Sequence, residues 1–90
     1  MMFKVFISKE AKSEMEKMPE ANRKKFDELV EALSISFFPK NFDVVKLREK
    51  HFTYRARLGE FRVIYYAEIE KKGIFIFKLL RRSETTYERI

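Results

Sequence analysis

Residues 53–66 read Thr-Tyr-Arg-Ala-Arg-Leu-Gly-Glu-Phe-Arg-Val-Ile-Tyr-Tyr. Gly59 and Glu60 fit the two central positions of a hairpin loop, with Gly59 supplying the positive φ that a type II′ turn requires at its first centre. That turn fixes the register. Leu58 faces Phe61, Arg57 faces Arg62, Ala56 faces Val63, Arg55 faces Ile64 and Tyr54 faces Tyr65. Side chains alternate between the faces of a strand. Tyr54, Ala56, Leu58, Phe61, Val63 and Tyr65 therefore share one face and form the expected core set. Thr53, Arg55, Arg57, Arg62, Ile64 and Tyr66 share the other. Like charges directly opposite are destabilising, on a scale of about 0.2–1 kcal/mol per cross-strand pair. A sequence selected for stability alone would place a glutamate at one of these positions, and local rules are broken most often at functional sites.

Outward from the hairpin, the period of two continues. Phe52–Leu58 and Phe61–Ile69 are its strands, and Ile74–Leu80 is a further strand after the turn Lys71-Lys72-Gly73. Toward the N-terminus, Val44–Leu47 can start a strand, and Phe38-Pro39-Lys40-Asn41 marks a loop. Phe26, Leu29, Val30, Leu33 and Phe37 lie on one stripe at helical spacing, with Arg23, Lys24, Lys25, Asp27, Glu28 and Glu31 mostly opposite. Pro19 suits the first turn of this helix. Ala11, Met15 and Met18 predict a shorter helix before it, with Ser8 as N-cap. Phe3–Ile7 is a first strand. The expected fold is α+β with element order β-α-α-β-β-β. A mostly antiparallel twisted sheet carries a helical hairpin on one face, and the other face is left at least partly open. The length of 90 residues predicts one domain spanning residues 1–90.

Composition removes several kinds of chemistry. Without cysteine there is no disulfide framework, thiolate metal site or cysteine nucleophile. A single histidine excludes a multi-histidine metal site and a histidine pair. Two glycines leave no room for a glycine-rich phosphate loop. Apolar runs are about five residues long, against roughly 20 for a membrane helix. The N-terminus has no signal-peptide apolar region, so the expected compartment is the cytoplasm. His51, in a charged connector, reads as solvent-exposed, and Glu60 as a turn residue.

The net charge of +6 is unevenly spread. Residues 1–43 hold 8 basic and 8 acidic residues, whereas residues 44–90 hold 12 and 6, so the whole excess lies in the second half. Seven of the eight arginines are there too. Arginine makes bidentate contacts with phosphate where lysine acts as a point charge. The pattern points to a polyanionic partner, with Arg81 and Arg82 extending the patch and Tyr65, Tyr66 and Tyr87 as candidates for stacking on bases. Lys46 and Lys50, in the charged link before the hairpin, are placed with Arg55 and Arg81 among the RNA-contacting residues.

The string from Tyr54 to Tyr65 resembles the signature of the RelE/ParE toxin superfamily, most closely archaeal RelE-like chains. It has an aromatic residue, basic residues, Gly-acidic-aromatic-Arg, and an apolar strand ending in tyrosine. The element order is similar over nearly the full length, as is the arginine that precedes a tyrosine near the C-terminus (Arg82 and Tyr87). The resemblance implies the toxin of a type II toxin–antitoxin pair. Its activity would be that of a ribosome-dependent endonuclease that cuts messenger RNA in the A site by attack of the 2′-hydroxyl on the adjacent phosphate. It implies Arg57, Arg62, Arg82 (or Arg81 in its place) and Tyr87 as catalytic residues and Arg55 as an RNA contact. Its partners would be a small antitoxin, the ribosome and messenger RNA, with neither membrane nor cofactor nor metal. The best-known bacterial member has lysines where Arg55 and Arg57 stand, and the Arg82-to-Tyr87 spacing is one residue longer than usual. The competing expectations are a ParE-like inhibitor of DNA gyrase and an inactive RNA-binding relative.

Overall fold

The hairpin forms in the expected register. In the computed structural model, which describes residues 2–47 and 51–81, β3 (Thr53–Leu58) pairs antiparallel with β4 (Phe61–Glu68). Leu58 lies opposite Phe61, Arg57 opposite Arg62, and so on to Thr53 opposite Tyr66. Gly59 has φ +61°, the left-handed value that a side chain resists.

Three more strands complete the sheet. These are β1 (Lys4–Ile7), β2 (Asp43–Lys46) and β5 (Gly73–Arg81), in the spatial order β1-β5-β4-β3-β2. β1 runs parallel to β5, and the other pairings are antiparallel. The strand that could start at Val44 begins one residue earlier and ends at Lys46. Between β1 and β2 lie α1 (Lys9–Met15) and α2 (Glu20–Leu33). Ser8 caps α1 as expected, its Oγ accepting from the Ala11 N–H at 3.0 Å and donating to the Phe77 carbonyl at 3.3 Å. This single hydroxyl closes a helix end and ties it to β5.

Both helices press on one face of the sheet. Ala11, Met15, Phe26, Leu29 and Leu33 form a cluster with Tyr54, Ala56, Leu58, Phe61, Val63, Tyr65, Ile74, Ile76 and Leu79. Helix α2 stops at Leu33, before Phe37. The Ser34 hydroxyl turns back onto the Glu31 carbonyl at 2.6 Å, and the Ser36 N–H bonds Ala32, so the chain tightens and leaves the helical path. Phe37 still packs on the core, and its carbonyl accepts the Tyr65 hydroxyl at 2.8 Å.

The β4–β5 ladder carries a bulge. Ile64 pairs with Lys78 and Tyr65 with Ile76, leaving Phe77 without an opposite residue. A bulge of this kind changes which face later residues occupy. It puts Leu79 in the core and Arg81 opposite Phe61.

Candidate functional site

Directly paired residues share a face, so the register gives the helix-free face as rows running across the strands. The first row is Asp43, Arg57, Arg62 and Leu80. The second is Val45, Arg55, Ile64 and Lys78. Arg55, Arg57 and Arg62 thus stand on one side of the sheet, within two residues of each other along β3 and directly across from β3 to β4.

Their surroundings differ. Arg62 is buried, at 5% exposure. Its Nη1 donates to the Gly59 carbonyl at 3.2 Å and the Phe61 carbonyl at 3.3 Å, so the hairpin turn holds the guanidinium in a set position. Arg57 is half-exposed, and its Nε lies 3.7 Å from Asp43 Oδ2. Asp43 sits opposite Arg57 in β2 and supplies a carboxylate beside the facing arginines. Arg55 is partly buried, and its Nε is shielded from solvent with no hydrogen-bond partner among the described residues. A buried donor left unsatisfied costs about 1–3 kcal/mol, and a phosphate oxygen reaching Nε would satisfy it. Ile64 lies between Arg55 and Lys78 and is fully buried, outside the main core cluster.

The other expected site residues fall elsewhere. Arg81 is opposite Phe61 and therefore on the helix side, its guanidinium 5.4 Å from the centre of the Phe61 ring. Without the Phe77 bulge, simple alternation from Ile76 would have put Arg81 beside the trio. Lys46 pairs with Tyr54, also on the helix side, and its Nζ lies 6.0 Å from the centre of the Phe52 ring. Neither residue shares the face of the three arginines. Lys50, Arg82 and Tyr87 lie outside the described residues. Tyr65, a candidate for base stacking, is a core residue at 0% exposure. Burial, with Tyr54 close by, holds its phenol well above the ordinary value, and burial raises that of Tyr54 as well. Both rings stay neutral and serve packing. His51 and Glu60 are exposed, as expected.

A groove of about 640 Å³ runs between α2 and the hairpin turn, lined in part by Lys25, Glu28, Glu31, Asp43 and Arg57. Its lining mixes three carboxylates with the cations Lys25 and Arg57, and Asp43 and Arg57 belong to the first row of the arginine face as well. Among the described residues no group of histidine, cysteine, aspartate or glutamate side chains could hold a metal ion.

Sequence reasoning missed a row of rings. Thr53, Tyr66, Phe75 and Phe6 follow one another across β3, β4, β5 and β1. Phe75 and Phe77 sit in a continuous apolar run that hides which face each takes, and the pairing of β1 with β5 has no local signal.

Comparison with known proteins decides the family. The "Putative toxin RelE1" of Methanocaldococcus jannaschii is 39% identical over 84 residues, covering 92% of this chain and 93% of the relative. The chain belongs to the RelE toxin family. RelE in the archaeal RelE–RelB complex from Pyrococcus horikoshii superposes with a TM-score of 0.84 at 35% identity, over 94% of this chain and all of that one. A double arginine-to-alanine mutant of E. coli RelE in the free state shares the fold, with a TM-score of 0.79 at 19% identity over 99% of this chain and 92% of that one. No family model matches the sequence. In this RelE chain no helix among the described residues is long and apolar enough to cross a membrane.

Proposed function

We propose that this chain is the toxin of a type II toxin–antitoxin pair. It acts as a ribosome-dependent endonuclease on messenger RNA in the A site. The observation that carries this reading is the placement of Arg57 directly opposite Arg62, with Arg55 two residues along, on the helix-free face of a RelE-family sheet.

The reaction is an in-line transphosphorylation. The 2′-hydroxyl gives its proton to solvent as its oxygen attacks the adjacent phosphorus, the bond from phosphorus to the 5′-oxygen breaks as that oxygen takes a proton from solvent, and the products are a 2′,3′-cyclic phosphate and a free 5′-hydroxyl. Negative charge builds on the equatorial phosphate oxygens, where preorganised donors are most effective. Arg62, anchored by the turn, and Arg57 serve these oxygens. Arg55 binds the neighbouring backbone phosphate. Arg82 adds charge from beyond β5, and Tyr87 stacks on a base or orients the nucleophile. An arginine pKa above about 12 makes these groups poor proton acceptors. The burden therefore falls on geometry, which the ribosome supplies by holding the message in an attack-ready conformation.

The partner is a small antitoxin, a reading supported by the RelE–RelB complexes among the structural relatives. A pull-down from the native host that recovers no small partner would count against it.

Primer extension on cellular messages after induced expression tests the activity. The expected result is breaks within A-site codons that disappear in Arg62→Ala with the fold retained. Intact message together with DNA-damage signalling would instead establish gyrase inhibition.

A further inference from the structure

Phe6, Phe75 and Tyr66 form a column on the helix-free face. The Phe6 and Phe75 rings are stacked at 5.0 Å between centroids and 13° between planes, and Phe75 and Tyr66 at 5.0 Å and 19°. Phe6 is 46% exposed and Tyr66 37%. Phe6 lies on the outer strand, so one end of the column is at the sheet edge. The floor beneath it is cleared by Gly73. A Cβ there would come within 3.1 Å of Phe75 Cε2 and 3.8 Å of Phe6 Cε2. Mutual stacking explains why the rings touch, but not why the two end rings are left in water.

Cations bracket the column. Arg55 and Lys78 stand in the row on one side, two residues away along β3 and near the bulge of β5. Lys4 stands in the row on the other side, beside Gly73 and Glu68. Two residues of strand span about 6.6–6.8 Å. Among the described residues this face has five cations (Lys4, Arg55, Arg57, Arg62 and Lys78) against two carboxylates, Asp43 and Glu68. Stacking rings beside a cationic track are the means by which single-stranded nucleic acid is held. A duplex hides its base faces. An apolar protein segment seated on the rings would have to desolvate Arg55 and Lys78 without replacing their hydration.

We propose that the Phe6–Phe75–Tyr66 column is a base-stacking platform for single-stranded RNA, continuous with the phosphate track of Arg55, Arg57 and Arg62. It deepens, and rests on, the reading of this face as the RNA-cutting site. Bases beside the scissile linkage stack on the ends of the column, and the intervening phosphates meet Arg55 and Lys78.

Binding of a fluorescein-labelled, unstructured RNA of about twelve nucleotides, followed by anisotropy at several salt concentrations, tests the column. Phe6→Leu and Tyr66→Leu are expected to weaken binding about fivefold or more each. The slope of affinity against salt stays unchanged, because no phosphate contact is lost. Arg55→Gln is expected to flatten that slope by about 0.7. An abasic strand of the same length binds wild type and ring variants alike. Tyr66→Trp introduces an indole into a chain that has no tryptophan. Its emission is expected to be quenched by RNA and not by the abasic strand, and this arm decides should the leucine variants not fold.

Full affinity in the ring variants, an equal loss for abasic RNA, or unquenched emission at saturation overturns the proposal. So does loss of antitoxin capture with RNA binding intact. Base-dependent binding without cleavage on ribosomes would instead overturn the nuclease reading and leave the column standing. Cleavage with ring-independent binding overturns the column alone.

Discussion

Asp43→Asn is expected to lower stability and raise RNA affinity at the same time. Asp43 Oδ2 lies 3.7 Å from Arg57 Nε, with the two side chains 55% and 47% exposed. Exposed ion pairs of this kind contribute about 0.2–1 kcal/mol. The carboxylate also partly cancels the repulsion between Arg57 and Arg62, which the register places directly opposite, another ~0.2–1 kcal/mol. Replacing it with an isosteric amide removes both contributions, for a loss of about 1 kcal/mol. In a domain of this size that lowers the melting temperature by about 4–8 °C. For RNA the sign reverses. A phosphate no longer competes with Asp43 for Arg57, so binding tightens by about 1.4- to 5-fold at moderate salt. The salt dependence steepens by about 0.7 for each phosphate gained. Thermal melts by far-ultraviolet circular dichroism and anisotropy with a short single-stranded RNA give the two readouts. In an Arg57→Gln background the affinity gain is expected to vanish, which isolates the pair. Weaker or unchanged RNA binding in Asp43→Asn would refute the assignment of Arg57 to phosphate.

Arg62→Lys keeps the charge and loses the planar fork, so A-site cleavage on programmed ribosomes is expected to fall by at least tenfold, about 1.4 kcal/mol of transition-state stabilisation, while free-RNA affinity changes little. Among the described residues Gly59→Ala meets only the Asn22 amide, at 3.4 Å, so its cost is the left-handed backbone itself, about 1–2 kcal/mol in denaturant unfolding. Tyr65→Phe leaves the Phe37 carbonyl without its donor and is expected to cost about 1–3 kcal/mol by the same measurement. Because burial raises the phenol pKa of Tyr65 and Tyr54 above the unfolded value of 10.0, their contribution is fully present below pH 10.0 and is lost as pH rises above it. Alkaline unfolding followed by circular dichroism is expected to set in above that pH and to be delayed in Tyr65→Phe relative to its own stability at pH 7.

The hairpin was legible because its information is local. Gly59 sets the turn, the turn sets the register, and the register places three arginines without reference to the rest of the chain. What was not legible depends on distant pairing. Asp43 closes a loop in the sequence, and only the pairing of β2 with β3 makes it the counter-ion of Arg57. Arg81 follows an apolar run whose alternation would carry it to the arginine face. One unopposed residue, Phe77, reverses that. The overreach of α2 to Phe37 has the same character. The apolar spacing continues, but two serines offer the backbone other bonds, and Phe37 reaches the core from outside the helix. The aromatic column needs three strands, one of them parallel, to exist at all.

The two faces of the sheet obey different rules, and the difference bears on function. On the helix side the core residues alternate as packing requires, and the buried Tyr65 hydroxyl has its acceptor. On the other side the buried Arg55 Nε has no partner among the described residues, two arginines face each other, and rings stand in water. The orphan donor costs about 1–3 kcal/mol and the facing charges ~0.2–1 kcal/mol, against a total stability of about 5–15 kcal/mol for a typical domain. These are penalties of the free chain alone. In the proposed complex a phosphate diester between the arginines would satisfy the donor and turn repulsion into shared attraction, and bases on the column would cover the rings. Each term that destabilises the free face would then become a term that favours the complex. An uncharged or duplex ligand would relieve only some of them, so on the proposed reading a preference for single-stranded RNA would reside in the same residues that weaken the fold.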